Sequence, residues 1–304
     1  MSTTVAVTGA TGFIGKHIVG NLLSRGFRVR ALTRTSQPST DDNLVWIQGS
    51  LEDQASLWEL VRGATSVVHC AGQVRGSSQD TFTQCNVNGS VGLMQAARLS
   101  GSCKRFLFLS SLAARHPQLS WYARSKFVAE RELISMAVGM SLGIFRPTAV
   151  YGPGDKELKP VFDWLLRGVL PRLGSPEAKL SFLHVSDLAE AVSQWLLAEV
   201  PETQICELCD GVQGGYNWLR LKAIGSAVRG GPVRLLGVPL PALKIFAEVS
   251  ILWNWLARKE PMLTHSKIRE LTHQDWSASN TSLSETIHWF PEVSLERALR
   301  ERLF

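Results

Sequence analysis

Thr8-Gly9-Ala10-Thr11-Gly12-Phe13-Ile14-Gly15 follows the short apolar run Val5-Ala6-Val7 and opens the stretch Ile14 to Leu23, whose spacing predicts a helix. Strand, glycine turn and helix in that order begin a βαβ unit. In the G-x-x-G-x-x-G spacing each glycine has its own task. The first permits the tight turn, the second lets the backbone approach a pyrophosphate, and the third packs the helix on its strand. The helix N-terminus then faces the negative charge. Glycines alone would also fit a plain turn; the strand before them and the helix after them make this a dinucleotide-binding turn. Its candidate contacts are Gly9, Thr11, Gly12, Phe13, Ile14 and Gly15.

The alternation continues outward from this unit. Phe27 to Leu32, Leu44 to Ile47, Ser66 to Cys70, Arg105 to Leu109 and Leu142 to Phe145 read as further strands. Leu57 to Val61, about Asn86 to Leu99, and Ala123 to Met136 read as helices between them. Strands joined by helices pair in parallel through right-handed crossovers, so the expected fold class is α/β, a doubly wound parallel sheet of the Rossmann type. Beyond Tyr151 the rhythm slackens, and only Leu180 to His184 and Gln204 to Leu208 still read as strands. The expected division is a dinucleotide-binding domain at 1–150, with late strands from about 176–210 returning to it. A smaller, mostly helical substrate-binding cap takes 151–175 and 211–304. The late tryptophans Trp253, Trp255, Trp276 and Trp289 are expected to pack this cap or to wall an apolar ligand pocket.

The second strand decides the cofactor. In NAD-binding sheets it usually ends in an acid that takes the ribose hydroxyls. Here it ends Ala31-Leu32-Thr33-Arg34, with no carboxylate before Asp41. A guanidinium matches a ribose 2′-phosphate in fork geometry and charge, so NADP(H) is the preferred cofactor and NAD(H) the alternative. Reaction chemistry belongs at the carboxyl ends of the strands. The fifth strand ends in Ser110-Ser111, and Tyr122-Ala123-Arg124-Ser125-Lys126 follows. One helical turn separates Tyr122 from Lys126, which puts both on one face. An ammonium beside a phenol favours the phenolate, so Lys126 is expected to lower the Tyr122 pKa and make it a usable acid and base. Ser111 would hold the substrate oxygen that exchanges the proton.

At these residues the chain resembles the extended short-chain dehydrogenase/reductases, the NAD-dependent epimerase/dehydratase family. The resemblance is carried by Thr8 to Gly15, Val67-Val68-His69-Cys70-Ala71-Gly72, Asn86-Val87-Asn88-Gly89-Ser90, Ser110-Ser111, Tyr122 with Lys126, Phe145 to Gly154 and His184 to Ala189. It implies Tyr122 as acid/base, Lys126 on the nicotinamide ribose, Ser111 orienting the substrate oxygen and Asn86 supporting the site. It also implies cofactor contacts from Cys70, Ala71 and Gly72, and from Pro147, Thr148, Ala149 and Val150 on the nicotinamide side. Ser50-Leu51 stands where the family often has Asp before Leu in the adenine loop; a serine hydroxyl still accepts from the adenine amino group. Ala31 to Arg34, the apolar run from Pro239 to Pro261, and Leu263-Thr264 with Lys267-Ile268-Arg269 are similar to the dihydroflavonol reductase and 3β-hydroxysteroid dehydrogenase branches.

Three reactions share this site: hydride transfer between NADP(H) and an apolar alcohol or ketone, a nucleotide-sugar epimerase or dehydratase with tightly bound cofactor, and a non-catalytic dinucleotide scaffold. The first is favoured. The NAD-type acid is missing, no acid follows Ser111 for a dehydratase, and a pure binder needs no Tyr122–Lys126 pair. The apolar run from Pro239 to Pro261 is expected to be a core helix of the cap, with a substrate wall or peripheral membrane contact as alternatives.

Composition narrows the partners. The chain of 304 residues has a formal charge of +6, and 1–150 holds 15 basic and 8 acidic side chains against 17 and 18 in 151–304. A surplus confined to the first half, without a dense basic run, fits one small anion and argues against nucleic acid. No apolar run reaches the length of a membrane span. Five cysteines and no secretory signal make the cytoplasm the expected compartment; the resemblance implies a homodimer or monomer acting on a small-molecule substrate. Cys206 and Cys209 have the C-x-x-C spacing but no second pair, so no metal site is expected; strand alternation would send them to opposite faces as inert thiols. His69 reads as a core histidine, and Asp187-Leu188-Ala189-Glu190 as the capping box of a helix with His184 just before it.

Overall fold

The computed structural model describes residues 3–39, 41–76, 78–245, 248 and 264–304. The apolar strand stretches of the first half form β1 (Thr4–Thr8), β2 (Arg28–Thr33), β3 (Leu44–Gln48), β4 (Ser66–His69), β5 (Arg105–Leu109) and β6 (Ser141–Pro147). Later come β7 (Ala149–Tyr151), β8 (Val169–Arg172), β9 (Phe182–His184), β10 (Thr203–Leu208) and β11 (Arg234–Gly237). Seven of them make one sheet in the order β10-β6-β5-β4-β1-β2-β3, every pair parallel. Val5 registers with Val29 on one side and Ser66 on the other. The strand order reverses there, which opens the binding crevice at the carboxyl ends of β1 and β4.

Strand side chains alternate faces, and the two faces feed two cores. Val5, Val7, Val68, Leu107 and Phe145 join one apolar cluster, while Ala6, Val67, Phe106, Phe108 and Ile144 join the other. The helices are α1 (Phe13–Ser24), α2 (Gln54–Val61), α3 (Gln79–Phe82), α4 (Gly89–Leu99), α5 (Trp121–Met136), α6 (Lys159–Leu166), α7 (Val185–Leu197) and α8 (Trp218–Arg229). α1 and α7 cover the first face through Ile18, Leu22, Leu188 and Val192; α2, α4 and α5 cover the second through Leu57, Leu93 and Leu133. Trp195 lies across β6, where a Cβ on Gly143 would come within 2.7 Å of its ring. A third cluster, with Tyr151, Phe162, Leu165, Leu170, Trp218 and Leu299, gives the segments after Tyr151 that were expected to form the cap a core of their own. Short parallel pairs β7–β9 and β8–β11 frame it.

The structure differs from the sequence expectations at several elements. α4 is preceded by a π-helical turn, Thr83–Asn88, which carries Asn86. α7 starts at Val185, and its N-cap is His184, whose side chain accepts from the Ser186 amide; Asp187 is no cap. Its carboxylate is buried and accepts from the Val293 amide at 3.0 Å, while Glu190 pairs with Arg25. Both patterns could start a helix, but β9 hands directly into α7 and leaves no turn in which Asp187 could cap.

Cys206 and Cys209 meet the same returning segment, not opposite faces. Their sulfurs lie 3.6 Å from Ser282 Oγ and 3.4 Å from the Ala278 carbonyl, because β10 ends at Leu208 and the alternation stops with it. Both thiols are free, and burial pushes each up to about 11. Trp289 packs in the first-face core of the sheet instead of the cap, since the helix Thr281–Ile287 returns to lie on the edge strand β10. Trp253 and Trp255, with most of the Pro239 to Pro261 run, lie outside the described residues. Among the described residues no helix is long and apolar enough to cross a membrane.

Candidate active site

The glycine turn is built to its tolerances. Gly9 has φ +69°, and a Cβ there would sit 2.6 Å from the Ala71 amide nitrogen. A Cβ on Gly15 would sit 2.0 Å from the Gly9 carbonyl, so α1 and the turn touch backbone to backbone. Gly12 is the N-cap of α1 and supplies no side-chain cap to the first-turn amides. Exposed Thr11 and Gly12 and half-buried Phe13 and Ile14 complete an uncapped helix N-terminus. A glycine cradle with free amides fits a dinucleotide pyrophosphate.

His69, at the end of β4, locks this cradle to the opposite side of the crevice. Ser90 Oγ donates to the Asn86 carbonyl at 2.7 Å, so its proton is spent and His69 Nε2–H must donate to Ser90 Oγ at 2.8 Å. Nδ1 is then an acceptor and takes the Thr8 hydroxyl at 2.6 Å, while Thr8 Oγ1 accepts from the Ala71 amide at 3.3 Å. The chain closes only around a neutral imidazole. Burial, with the Lys126 charge adding to it, pushes His69 down to about 3. His69 is therefore architectural, as expected.

Tyr122 sits in the first turn of α5, which Ser120 caps by accepting from the Ala123 amide at 2.9 Å. Burial pushes its phenol up to about 12; the Ser111 hydroxyl works against the rise and the Glu270 carboxylate adds to it. The expected lowering by Lys126 is absent. Lys126, 3% exposed, sends its ammonium to the Leu109 carbonyl at 3.0 Å and over the Phe108 ring at 4.8 Å. The carboxyl end of β5 offers it that carbonyl, and its stem follows. Burial brings Lys126 down to about 8, opposed by Cys85, Cys70 and Glu130. Asn86 Oδ1 accepts from the Gln73 amide at 2.7 Å, and its Nδ2 donates to the Gln73 carbonyl and Ser125 Oγ, both at 2.9 Å. It thus pins the loop after β4 to α5. A Cβ on Gly72 would meet Lys126 Nζ at 3.0 Å and Asn86 Oδ1 at 3.2 Å.

Other expected residues divide. Cys70 and Ala71 line up beside Thr8, with the Cys70 thiol pushed by burial up to about 12. Arg34 is exposed and makes no ion pair with a described residue. Ser50 Oγ accepts from the Glu52 amide at 3.3 Å, and Leu51 packs against Gly89 at the rim of the second core. Pro147, Thr148 and Ala149 face a cavity with Ser111 and Tyr122, whereas Val150 turns into the first core.

That cavity opens beside Ser111 and Tyr122. It encloses about 400 Å³ and is walled by Leu158, Val161, Phe162, Leu165, Leu170 and Trp218 of the cap. Lys267 and Glu270, on the helix His265–Leu271, also reach it, and Lys267 Nζ stands 5.8 Å from the Tyr122 ring centre. An acid in this cavity wall was not expected, because none follows Ser111 in sequence; the helix His265–Leu271 brings one from far along the chain. Lys267-Ile268-Arg269 was a mark of resemblance without a role. Trp276 walls the same cavity, and its ring meets His116 and His273.

Residues 5–206 match the model of the NAD dependent epimerase/dehydratase family. The chain is 34% identical over 287 residues to ceramide reductase of Caulobacter vibrioides, covering 93% of this chain and 88% of that protein. It is 28% identical over 237 residues to UDP-glucose 4-epimerase of Vibrio cholerae, covering 69% and 72%. Among solved structures, the UDP-glucose 4-epimerase of Thermotoga maritima with UDP-glucose superposes with a TM-score of 0.74 at 20% identity, over 98% of this chain and 96% of that one. At that identity the likeness is one of fold.

Proposed function

The chain belongs to the NAD-dependent epimerase/dehydratase family, and from that premise we propose that it is an NADP(H)-dependent reductase of a carbonyl on a long-chain, apolar small molecule. One observation carries this reading: the cavity of about 400 Å³ that opens beside Tyr122 and Ser111 is walled mainly by aliphatic and aromatic side chains. Each methylene buried there is worth about 0.8 kcal/mol. A nucleotide sugar would instead leave several hydroxyls unpaired against this wall, at about 1–3 kcal/mol each. The 34% identity to a protein named ceramide reductase supports the same direction.

The residues divide the work. Gly9, Thr11, Gly12, Phe13, Ile14 and Gly15 would hold the cofactor pyrophosphate, Arg34 the 2′-phosphate, Ser50 and Leu51 the adenine. Cys70, Ala71 and Gly72, with Tyr122, Lys126, Pro147, Thr148 and Ala149, would line the nicotinamide half. The bound dinucleotide supplies a hydride. Ser111 orients the substrate oxygen, and Tyr122 gives it a proton as the carbonyl becomes an alcohol. A phenol held near 12 is fully protonated at neutral pH, the state a reductase needs. Asn86 keeps the loop after β4 in place. A reducing compartment such as the cytoplasm suits the five free thiols.

The test is NADPH consumption by the purified protein with long-chain ketones, beside UDP-glucose as a control. Ketone-dependent oxidation of NADPH, faster than that of NADH, is expected. Interconversion of UDP-sugars without ketone turnover would overturn the reading, and tighter NADH binding would remove the role of Arg34.

A further inference from the structure

Among the described residues, Lys267 and Glu270 are the charged ones in the cavity wall. Glu270 is 6% exposed and takes the Lys267 ammonium at 2.8 Å and the Ser120 hydroxyl on its other oxygen. Two further bonds fix the helix that carries them: Trp276 Nε1 donates to the Glu270 carbonyl at 3.0 Å, and Arg269 Nε to the Leu119 carbonyl at 2.8 Å. An ion pair held only for stability would gain nothing from lying against the reacting phenol, and apolar residues would fill the place as well. Neither group is saturated by a described residue. An ammonium has three protons and a carboxylate about four acceptor positions, so both retain capacity toward the cavity.

The room beside them sets the size of what they bind. A second, smaller niche of about 20 Å³ adjoins Tyr122, where Arg75, Ser120, Thr264, Ser266, Lys267 and Glu270 stand together with apolar Val74 and Phe82. One water-sized group needs roughly 10–15 Å³ by this measure, so the niche is sized for a single small polar substituent. Lys267 Nζ, 5.8 Å from the centre of the phenol ring, brings that substituent alongside Tyr122.

We propose that Lys267 and Glu270 form a clamp for one small hydrogen-bonding substituent, an amide or a hydroxyl, on the carbon beside the reacting ketone. The preferred substrate is then an amphiphile, with its polar end at this clamp and its chain in the apolar cavity. The clamp rests on the reductase reading above. Lys267 donates to the substituent's oxygen, and Glu270 accepts its N–H or O–H.

The experiment compares ketones of one chain length, either plain or carrying a neighbouring amide or hydroxyl, in the NADPH assay. The wild-type protein should prefer a substituted ketone in kcat/KM by about tenfold to hundredfold, the worth of one charge-assisted hydrogen bond. In Lys267→Met and Glu270→Gln that ratio should fall to about one, and Lys267→Arg should restore most of it. NADPH binding followed by fluorescence shows that each variant is folded. Parallel loss on all ketones with the ratio kept would make the pair structural and overturn the clamp alone. A wild-type protein that reduces no ketone overturns the reductase reading and the clamp with it.

Discussion

Lowering the pH from 7 to 5 should remove about 2 kcal/mol of folding stability through His69 alone. The fully buried imidazole is held near 3 by burial and by the neighbouring Lys126 charge, against 6.5 for an unperturbed histidine. As pH falls through 6.5 the unfolded chain takes up a proton that the folded chain refuses. Stability therefore declines from about pH 6.5 and levels off near the folded value. At pH 5 the gap spans about 1.5 pH units, and at about 1.36 kcal/mol per unit the loss is about 2 kcal/mol. His116, His184 and His273 are also depressed by burial, so a raw pH slope mixes several groups. The measurement is urea unfolding of the wild-type protein and His69→Gln at pH 7, 6 and 5. The variant should be less stable at pH 7, because the Thr8–His69–Ser90 chain is disturbed, yet lose about 2 kcal/mol less on acidification. Equal losses in the two proteins would refute both the neutral imidazole and the bond directions drawn from it.

Gly15→Ala should abolish dinucleotide binding and lower the melting midpoint, since its Cβ would fall 2.0 Å from the Gly9 carbonyl; fluorescence titration and thermal melting check this. Glu130, 2% exposed, takes Ser110 Oγ at 2.5 Å and Arg146 Nε at 2.9 Å, so Glu130→Gln should cost about 3–5 kcal/mol in urea unfolding by leaving the guanidinium unpaired. Tyr122→Phe should lower kcat by about 10²–10⁴-fold and leave NADPH binding intact, as read by single-turnover kinetics. Arg34→Glu should weaken NADPH binding and spare NADH; equal loss of both in a titration would make Arg34 structural.

Much of the sheet was legible because its signals are local. A glycine turn between Val7 and Ile14, and apolar runs of strand length, say where strands end, and parallel crossovers then order them. Tyr122 and Lys126 were legible as a pair by their spacing, but not in their coupling. The lysine stem is steered by the Leu109 carbonyl, a tertiary fact that no spacing encodes. Lys267 and Glu270 were illegible for a similar reason. Three residues apart on a short helix, they have the pattern of a solvated ion pair, and only the cap's fold shows that one of them is buried beside a phenol. The C-x-x-C alternation failed where β10 stopped one residue short of Cys209.

The return of the chain to β10 bears on how the molecule is assembled. Asn280 brackets Cys209 by accepting from its amide at 2.7 Å and donating to its carbonyl at 3.0 Å, and Gln204 Nε2 donates to the Ser282 carbonyl at 3.0 Å. Further on, Asp187 takes the Val293 amide, and His184 Nε2 donates to the Leu303 carbonyl at 3.0 Å. During synthesis the sheet therefore waits with an open edge until the helix Thr281–Ile287 has been made. A fragment cut at residue 210 would hold every strand of the large sheet and still expose that edge, along with the apolar bed of Leu283 and Trp289. Such a fragment should aggregate where the full chain does not. The sheet is thus closed by residues made long after its last strand.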